Sequence, residues 1–255
     1  MIVDTNVHLG RWPFRGSPWT TTAAIVGKLR SADVIEAWTG SCEAPFDKDL
    51  AGVNERLVRE CRRAGEGALL PFGSVNPKLP DWRDDLRRCH ESHGMKGIRL
   101  YPGYHNYRLD DAAAVELLDL AAERRLLVQV VVQMEDPRTQ HPLMQVPPVE
   151  ITPLASLVPK RPELNLQILN SPSNVPDQVL IPLARSNQVR FDIAMIEGLG
   201  GLARFVEKAG VNAVLFGSHF PLFYLESAIL KIREGAFSDG DTVAIQSGNA
   251  RRSVP

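Results

Sequence analysis

Short apolar runs alternate along this chain with longer segments whose apolar residues recur at helical spacing. Eight runs read as strands, beginning near Ile2, Asp33, Ala68, Lys96, Leu127, Leu164, Val189 and Ala213. Several are apolar on both faces, Leu126 to Val132 most clearly, as strands covered on both sides should be. The intervening segments carry helix signals. Asp111 is placed to cap a helix running to Arg125, with Val115, Leu118 and Ala122 forming its apolar stripe. Pro80 suits the first position of a helix carrying Trp82, Leu86 and Cys89, with Gly94 as its stop. Strands alternating with helices predict βαβ units around a parallel sheet.

Eight such units in 255 residues average about 32 residues each, which predicts a single α/β domain over 1–255, a (β/α)8 barrel of the TIM type. The rival, an open doubly wound sheet, needs a glycine-rich phosphate loop after its first strand, and Asn6-Val7-His8-Leu9-Gly10 is not one. The proline-dense stretch from Pro142 to Pro162 is expected as an irregular excursion over the barrel mouth. Composition fits a full core: 44% hydrophobic and 23% charged residues. With 29 basic and 30 acidic residues the formal net charge is −1, which argues against nucleic acid or a membrane as the main partner. A small-molecule substrate is the expected partner, and self-association stays open. Cys42, Cys61 and Cys89 lack metal-ligand spacing and read as reduced thiols, and no apolar run reaches membrane-spanning length. Both point to the cytoplasm.

Barrels of this kind carry their chemistry at the C-terminal strand ends. Read in order, those ends present Asn6 and His8, Ser41, Ser74 and Asn76, Arg99 and Tyr101, Gln133 and Glu135, Asn170, Asp192, and His219. Asp4, Asn6 and His8 alternate along the first strand and should share a face. Arg99 and Tyr101 share a face of the fourth strand; a guanidinium looking into the mouth suits a carboxylate, and pairing with Asp192 or Glu135 is the plainer alternative. The polar loop Glu135 to Pro142 offers Arg138 and His141 as a substrate-gripping lid, against the simpler reading of a solvated loop. Tyr104 and His105 are expected along the same rim. His90 and His93 read as surface residues, and Trp12, Phe14 and Trp19 as packing groups that can wall the first loop.

Four segments together carry a resemblance: Asp4-x-Asn6-x-His8, Phe72-Gly73-Ser74-Val75-Asn76-Pro77, Met95-Lys96-Gly97-Ile98-Arg99-Leu100-Tyr101-Pro102 and Phe216-Gly217-Ser218-His219-Phe220-Pro221, with Gly248-Asn249-Ala250-Arg251 at the end. In this order they resemble the amidohydrolase superfamily, in its amidohydrolase-related branch. The resemblance implies a barrel hydrolase of amides, lactones or related carbonyls, or in some members a decarboxylase, usually metal-dependent, although some lactone-hydrolysing relatives work without metal. The departures are as informative. Where the family's pattern has its first metal histidine this chain has Asn6. Gln133 stands near the fifth-strand histidine, Asn170 at the sixth-strand histidine, and His219 at the eighth-strand aspartate. Only His8 keeps its type.

Neutral amides are poor zinc ligands, so the resemblance implies a degenerate metal site. The first expectation is a hydrolase of a small, anionic carbonyl compound with little or no metal dependence. His219 would be its base, assisted by His8, with Asn6, Gln133 and Asn170 holding the developing oxyanion and Arg99, Tyr101, Arg138, His141 and Asp192 around the substrate. A second expectation is an inactive barrel that binds a small molecule or regulates. A third keeps the enzyme and gives it one weakly held zinc or manganese ion on His8 and His219.

Overall fold

The structure, a computed structural model, describes residues 1–65, 67–171 and 175–254. Nine strand segments make eight barrel strands: β1 Ile2–Leu9, β2 Val34–Ser41, β3 Leu69–Pro71 and β4 Gly73–Ser74 as two pieces of the third, β5 Gly97–Leu100, β6 Leu127–Val131, β7 Asn165–Leu169, β8 Val189–Asp192 and β9 Val214–Leu215. All neighbours pair in parallel, β1 to β2 to β3 and then β4 through β9 in chain order. The ring closes after β9: Thr5 N–H donates to the Phe216 carbonyl and His8 N–H to the Phe220 carbonyl, both at 2.9 Å, and Val7 bridges Phe220. This is the expected (β/α)8 barrel.

The outer helices form because apolar stripes and caps agree. Helix α1 (Thr22–Ser31) is capped by Thr21, whose hydroxyl accepts from Ala24 N–H, and α2 (Leu50–Ala64) by Asp49 accepting from Gly52 N–H. Buried Leu50, Val53, Leu57, Val58 and Cys61 face α2 to the sheet, each large apolar group contributing roughly 1.5–3 kcal/mol. Asn54 on the same helix clamps β4, accepting from Ser74 N–H at 2.7 Å and donating to the Ser74 carbonyl at 2.9 Å. At the C-terminus, buried Asn249 donates to the Val211 and Val214 carbonyls at 2.8 and 2.7 Å, tying the last turn to β9.

Two helix expectations need correction. The segment after Pro80 becomes helical at Trp82 (α3, Trp82–Arg87), with Pro80 in the preceding turn, and continues as a widened turn over Arg88–Ser92 before Gly94 stops it at φ +65°. Past the four-residue helix α4 (Pro102–His105), helix α5 (Ala112–Glu123) buries Ala114, Leu117, Leu118 and Ala121. Val115 and Ala122 flank that stripe, because the sheet takes a face rotated by about one residue from the predicted one. The stretch from Pro142 to Pro162 begins at the mouth, where Val149 N–H donates to the Val132 carbonyl just past β6. It then turns into the core through Ile151, Leu154 and Val158. The three cysteines are free and buried, their thiols pushed up to about 12 by desolvation. Among the described residues no helix is long and apolar enough to cross a membrane.

Candidate functional site

The barrel interior is layered. Its lowest level is apolar, with Trp38 and Phe72 stacked at 5.3 Å beside Val3, Leu127 and Leu215. Above it lies a polar belt. Arg99 Nε donates to Gln129 Oε1 at 2.8 Å, Gln129 Nε2 to Gln167 Oε1 at 2.8 Å, and Gln167 Nε2 to Thr5 Oγ1 at 2.6 Å. Parallel register explains the belt, since Arg99 pairs with Gln129 and Gln129 with Gln167 on neighbouring strands. The Arg99 guanidinium also donates to the Val7 carbonyl at 3.0 Å and the Trp38 carbonyl at 3.1 Å. It lies so close to β2 that a Cβ on Gly40 would stand 2.7 Å from Nη1, so any side chain there would have to displace the guanidinium.

At the strand ends the expected residues do meet. Asn6 Nδ2 donates to Asn170 Oδ1 at 2.7 Å and Asp192 Oδ2 at 2.6 Å, while His8 Nε2 lies 3.1 Å from His219 Nδ1 and 3.2 Å from Asn6 Oδ1. His219 Nε2 lies 2.8 Å from the Met134 carbonyl. That carbonyl accepts only, so Nε2 carries the proton and Nδ1 is an acceptor, served by His8 Nε2–H and by Asn170 Nδ2–H at 3.2 Å. His8 Nδ1 is then left to accept, with Arg99 Nη1 3.4 Å away. One carbonyl thus fixes the tautomers of both rings, and every imidazole nitrogen has a partner.

Burial sets the charges. His219 is lowered to about 3 and His8 well below its ordinary value, in both cases chiefly by desolvation, with Arg99 adding repulsion. Asp192 is raised to about 6 by burial against the donations from Asn170 N–H and Asn6, and Asp4 to about 7 by burial against those from Ser218. Asp4 accepts from Ser218 N–H at 3.0 Å and from its hydroxyl, so it serves the closing turn, unlike its neighbours Asn6 and His8. Asn170 and His219 both adopt left-handed backbone, φ +57° and +60°, which is uncommon for residues other than glycine.

The cluster is sealed. Asn6, His8, Arg99, Tyr101, Asn170, Asp192 and His219 are each 0% exposed. Over them sits a plug from four loops, in which Trp12 packs against Phe14, Phe46 and Tyr104 at ring separations of 5.2 to 6.1 Å, and His141 stacks on Phe14 at 5.5 Å. Arg15 ties the first loop to the fifth, its Nε 3.0 Å from Glu135 Oε1 and its Nη2 donating to Thr139 at 2.8 Å. His105 is buried, its ring bonded to the Ala44 carbonyl at 3.0 Å.

These positions correct several expectations. Arg99 does not look into the mouth, and it pairs with neither Asp192 nor Glu135; carbonyls and Gln129 hold it, because its side chain turns inward along the belt. Tyr101 is buried with its hydroxyl 3.4 Å from the Ser41 carbonyl. Arg138 is exposed and ion-paired to Asp136 two residues away, with no contact to the cluster. Gln133 turns its amide to Met195 Sδ at 2.9 Å and joins the cluster only through its carbonyl, which accepts from Asn170. The residues missed from sequence are Thr5, Gln129 and Gln167; the signal was a glutamine flanked on both sides by buried apolar residues, in both β6 and β7.

Beside the plug, the first loop, residues 10–20, and the turn 221–224 enclose a cleft of about 280 Å³. Its wall includes Trp12, and Phe223 meets the His219 ring edge-on at 5.1 Å, separating cleft from cluster.

A resident divalent ion fits this donor set poorly. The cluster offers two imidazoles, amides and the Asp192 carboxylate, whose oxygens are taken by Asn6 and Asn170; no group of three His, Cys, Asp or Glu side chains with metal-holding geometry occurs among the described residues, and Arg99 Nη1 lies 3.3 Å from His8 Nε2.

Fold and site together define a (β/α)8 barrel with polar groups converging at the C-terminal strand ends. The family model described as amidohydrolase (Amidohydro_2) matches residues 28–169, more than half of the chain, and the chain belongs to that family. No curated protein matches it in sequence. Among solved structures, 2,6-dihydroxybenzoate decarboxylase from Rhizobium aligns with TM-score 0.77 at 14% identity, covering 98% of this chain and 97% of that one. A dihydroxybenzoic acid decarboxylase from Polaromonas sp. JS666, solved with bound manganese, gives 0.76 at 13%, covering 98% and 96%. 4-Oxalomesaconate hydratase from Rhodopseudomonas palustris gives 0.71 at 16%, covering 100% and 96%. At these identities the likeness is one of fold.

Proposed function

We propose that the chain is a member of the amidohydrolase family that binds a small molecule and does not hydrolyse it. One observation carries this reading: both histidines at the strand ends are fully buried, and every nitrogen of either ring is already hydrogen-bonded. A general base needs a free lone pair, a proton affinity near the working pH and contact with water or substrate. His219 lacks all three, with its pKa at about 3. Asp192, at about 6, is in the right range but is covered and spends both oxygens on Asn6 and Asn170.

Hydrolysis of a lactone or amide by His219 and His8 is the rival reading, favoured by family membership. It requires the plug to open and the imidazole pair to separate. The deciding experiment follows proton release from a panel of lactones, amides and small carboxylic acid derivatives, with and without added zinc or manganese, for the wild type and His219→Ala. The expected result is the buffer rate for both proteins under every condition. Turnover by the wild type that disappears in His219→Ala would overturn the proposal, and turnover that appears only with metal would establish the single-ion enzyme instead.

A further inference from the structure

Resting on the binding reading above, we propose that the cleft between residues 10–20 and 221–224 is the ligand site and that it takes a planar organic anion, an apolar ring system bearing one carboxylate or sulfonate. Three features of the cleft select that chemistry. Its charged lining is wholly cationic: Arg11 and Arg15 border it, and no aspartate or glutamate does. Arg11 is exposed and has no ion-pair partner among the described residues, whereas Arg15 already spends its guanidinium on Glu135 and Thr139. An unpaired guanidinium is matched by a carboxylate or sulfonate, which it can grip with two parallel hydrogen bonds.

The flat apolar walls are Trp12, Trp19, Pro221 and Phe223, with the hydroxyl-bearing Ser17, Thr20 and Tyr224 also on the lining. Trp19 is braced from behind, 5.5 Å from the Phe220 ring, so its position is set before any ligand arrives. Trp12 is 6% exposed, and its buried Nε1–H has no acceptor among the described residues. A volume of about 280 Å³ lies at the lower edge of the roughly 300–1,000 Å³ usual for small-molecule sites, which favours one or two fused rings over a peptide or nucleotide. Phe223 closes the cleft floor against His219, so a ligand here meets no strand-end group.

The test titrates the intact protein with 2-naphthoate and, separately, with the isosteric neutral 2-naphthamide, reading tryptophan fluorescence. Saturable quenching by 2-naphthoate is expected, with 2-naphthamide weaker by about tenfold, in line with loss of one charge-assisted contact. Arg11→Gln should weaken 2-naphthoate by a similar factor and leave 2-naphthamide unchanged. Arg138→Gln, on an exposed residue outside the cleft, should change neither, and an unchanged melting temperature shows that both variants fold. Absence of saturable quenching, equal binding of the two probes, or 2-naphthoate binding untouched by Arg11→Gln would each overturn the assignment. Its failure is separable from that of the parent reading: hydrolysis dependent on His219 would end the non-hydrolytic reading whatever binds in the cleft, while a chain without turnover that ignores 2-naphthoate would lose only this site.

Discussion

The strand-end cluster and the loop cleft are separated by one phenylalanine ring, yet they are built on opposite principles. In the cluster every polar group is consumed by another from the same chain, and its one guanidinium is dry. In the cleft the aromatic walls are held by packing, and a guanidinium is left without a counter-ion among the described residues. Polar residues at barrel strand ends therefore do not by themselves mark a working site. What matters is whether their hydrogen-bonding capacity is spent or available. Buried and satisfied, such a network holds the barrel together; partly unsatisfied at a surface, it is a place for a ligand.

The largest contrast should come from removing one arginine from each region. Arg99→Met leaves Gln129 Oε1 and two carbonyls without donors, and takes a positive charge from beside two buried carboxyls. A loss of about 3–5 kcal/mol is expected. Arg11→Gln should stay within about 0.5 kcal/mol. Urea denaturation measures both, and equal midpoints would erase the distinction.

Acid titration sharpens it next. The unfolded chain takes up protons on His8 and His219 near the ordinary 6.5, long before the folded chain does, so these two groups cost stability as pH falls below that value. Asp4 and Asp192 act in the opposite sense. Their folded values of about 7 and about 6 exceed the ordinary 3.8, so the folded chain binds those protons first and stability is gained as pH falls through that range. The two pairs offset each other between pH 6.5 and 4. Replacing Asp4 and Asp192 together by asparagine should expose the histidine contribution, with stability falling on acidification by up to about 1.4 kcal/mol per pH unit for each histidine. A double variant whose urea midpoint is as flat as the wild type's would show that the imidazoles titrate normally, and hence that the cluster is wet.

A smaller effect is expected at the seam between the regions. Arg15→Gln leaves the buried Glu135 carboxylate without its cation, and should cost about 1 kcal/mol and accelerate amide hydrogen exchange in residues 133–141. Unchanged exchange there would mean that the plug is held by the aromatic contacts alone. The smallest belongs to Arg138→Ala, where an exposed pair with Asp136 is lost and neither the urea midpoint nor exchange in residues 133–141 should change measurably.

How far the sequence reached follows the same division. The eight strands were legible because buried strands are apolar on both faces and helix stripes separate them, and the pairing of β1 with the turn after β9 followed from barrel closure. Asn6, His8, Asn170, Asp192 and His219, all legible as strand-end residues, lie in one hydrogen-bonded cluster. Their state was not legible, because a polar residue at a strand end reads the same whether water or a neighbouring amide occupies its lone pairs. Arg99 was misplaced for a related reason: strand alternation tells which face a side chain takes, and not whether a long one bends down the barrel axis. The belt of Gln129 and Gln167 was passed over as background in apolar runs, although a lone amide in a doubly covered strand requires a partner. The cleft was glimpsed only as an apolar wall on the first loop, since the turn 221–224 that completes it lies some two hundred residues away.

The bare α-carbon at position 40 restricts which substitutions can come first. With a guanidinium wedged against it, position 40 can gain a side chain only if Arg99 moves or is shortened, whereas position 99 can shrink without disturbing position 40. A divalent cation placed among the strand-end imidazoles would meet the charge of that guanidinium, whose Nη1 lies 3.3 Å from His8 Nε2.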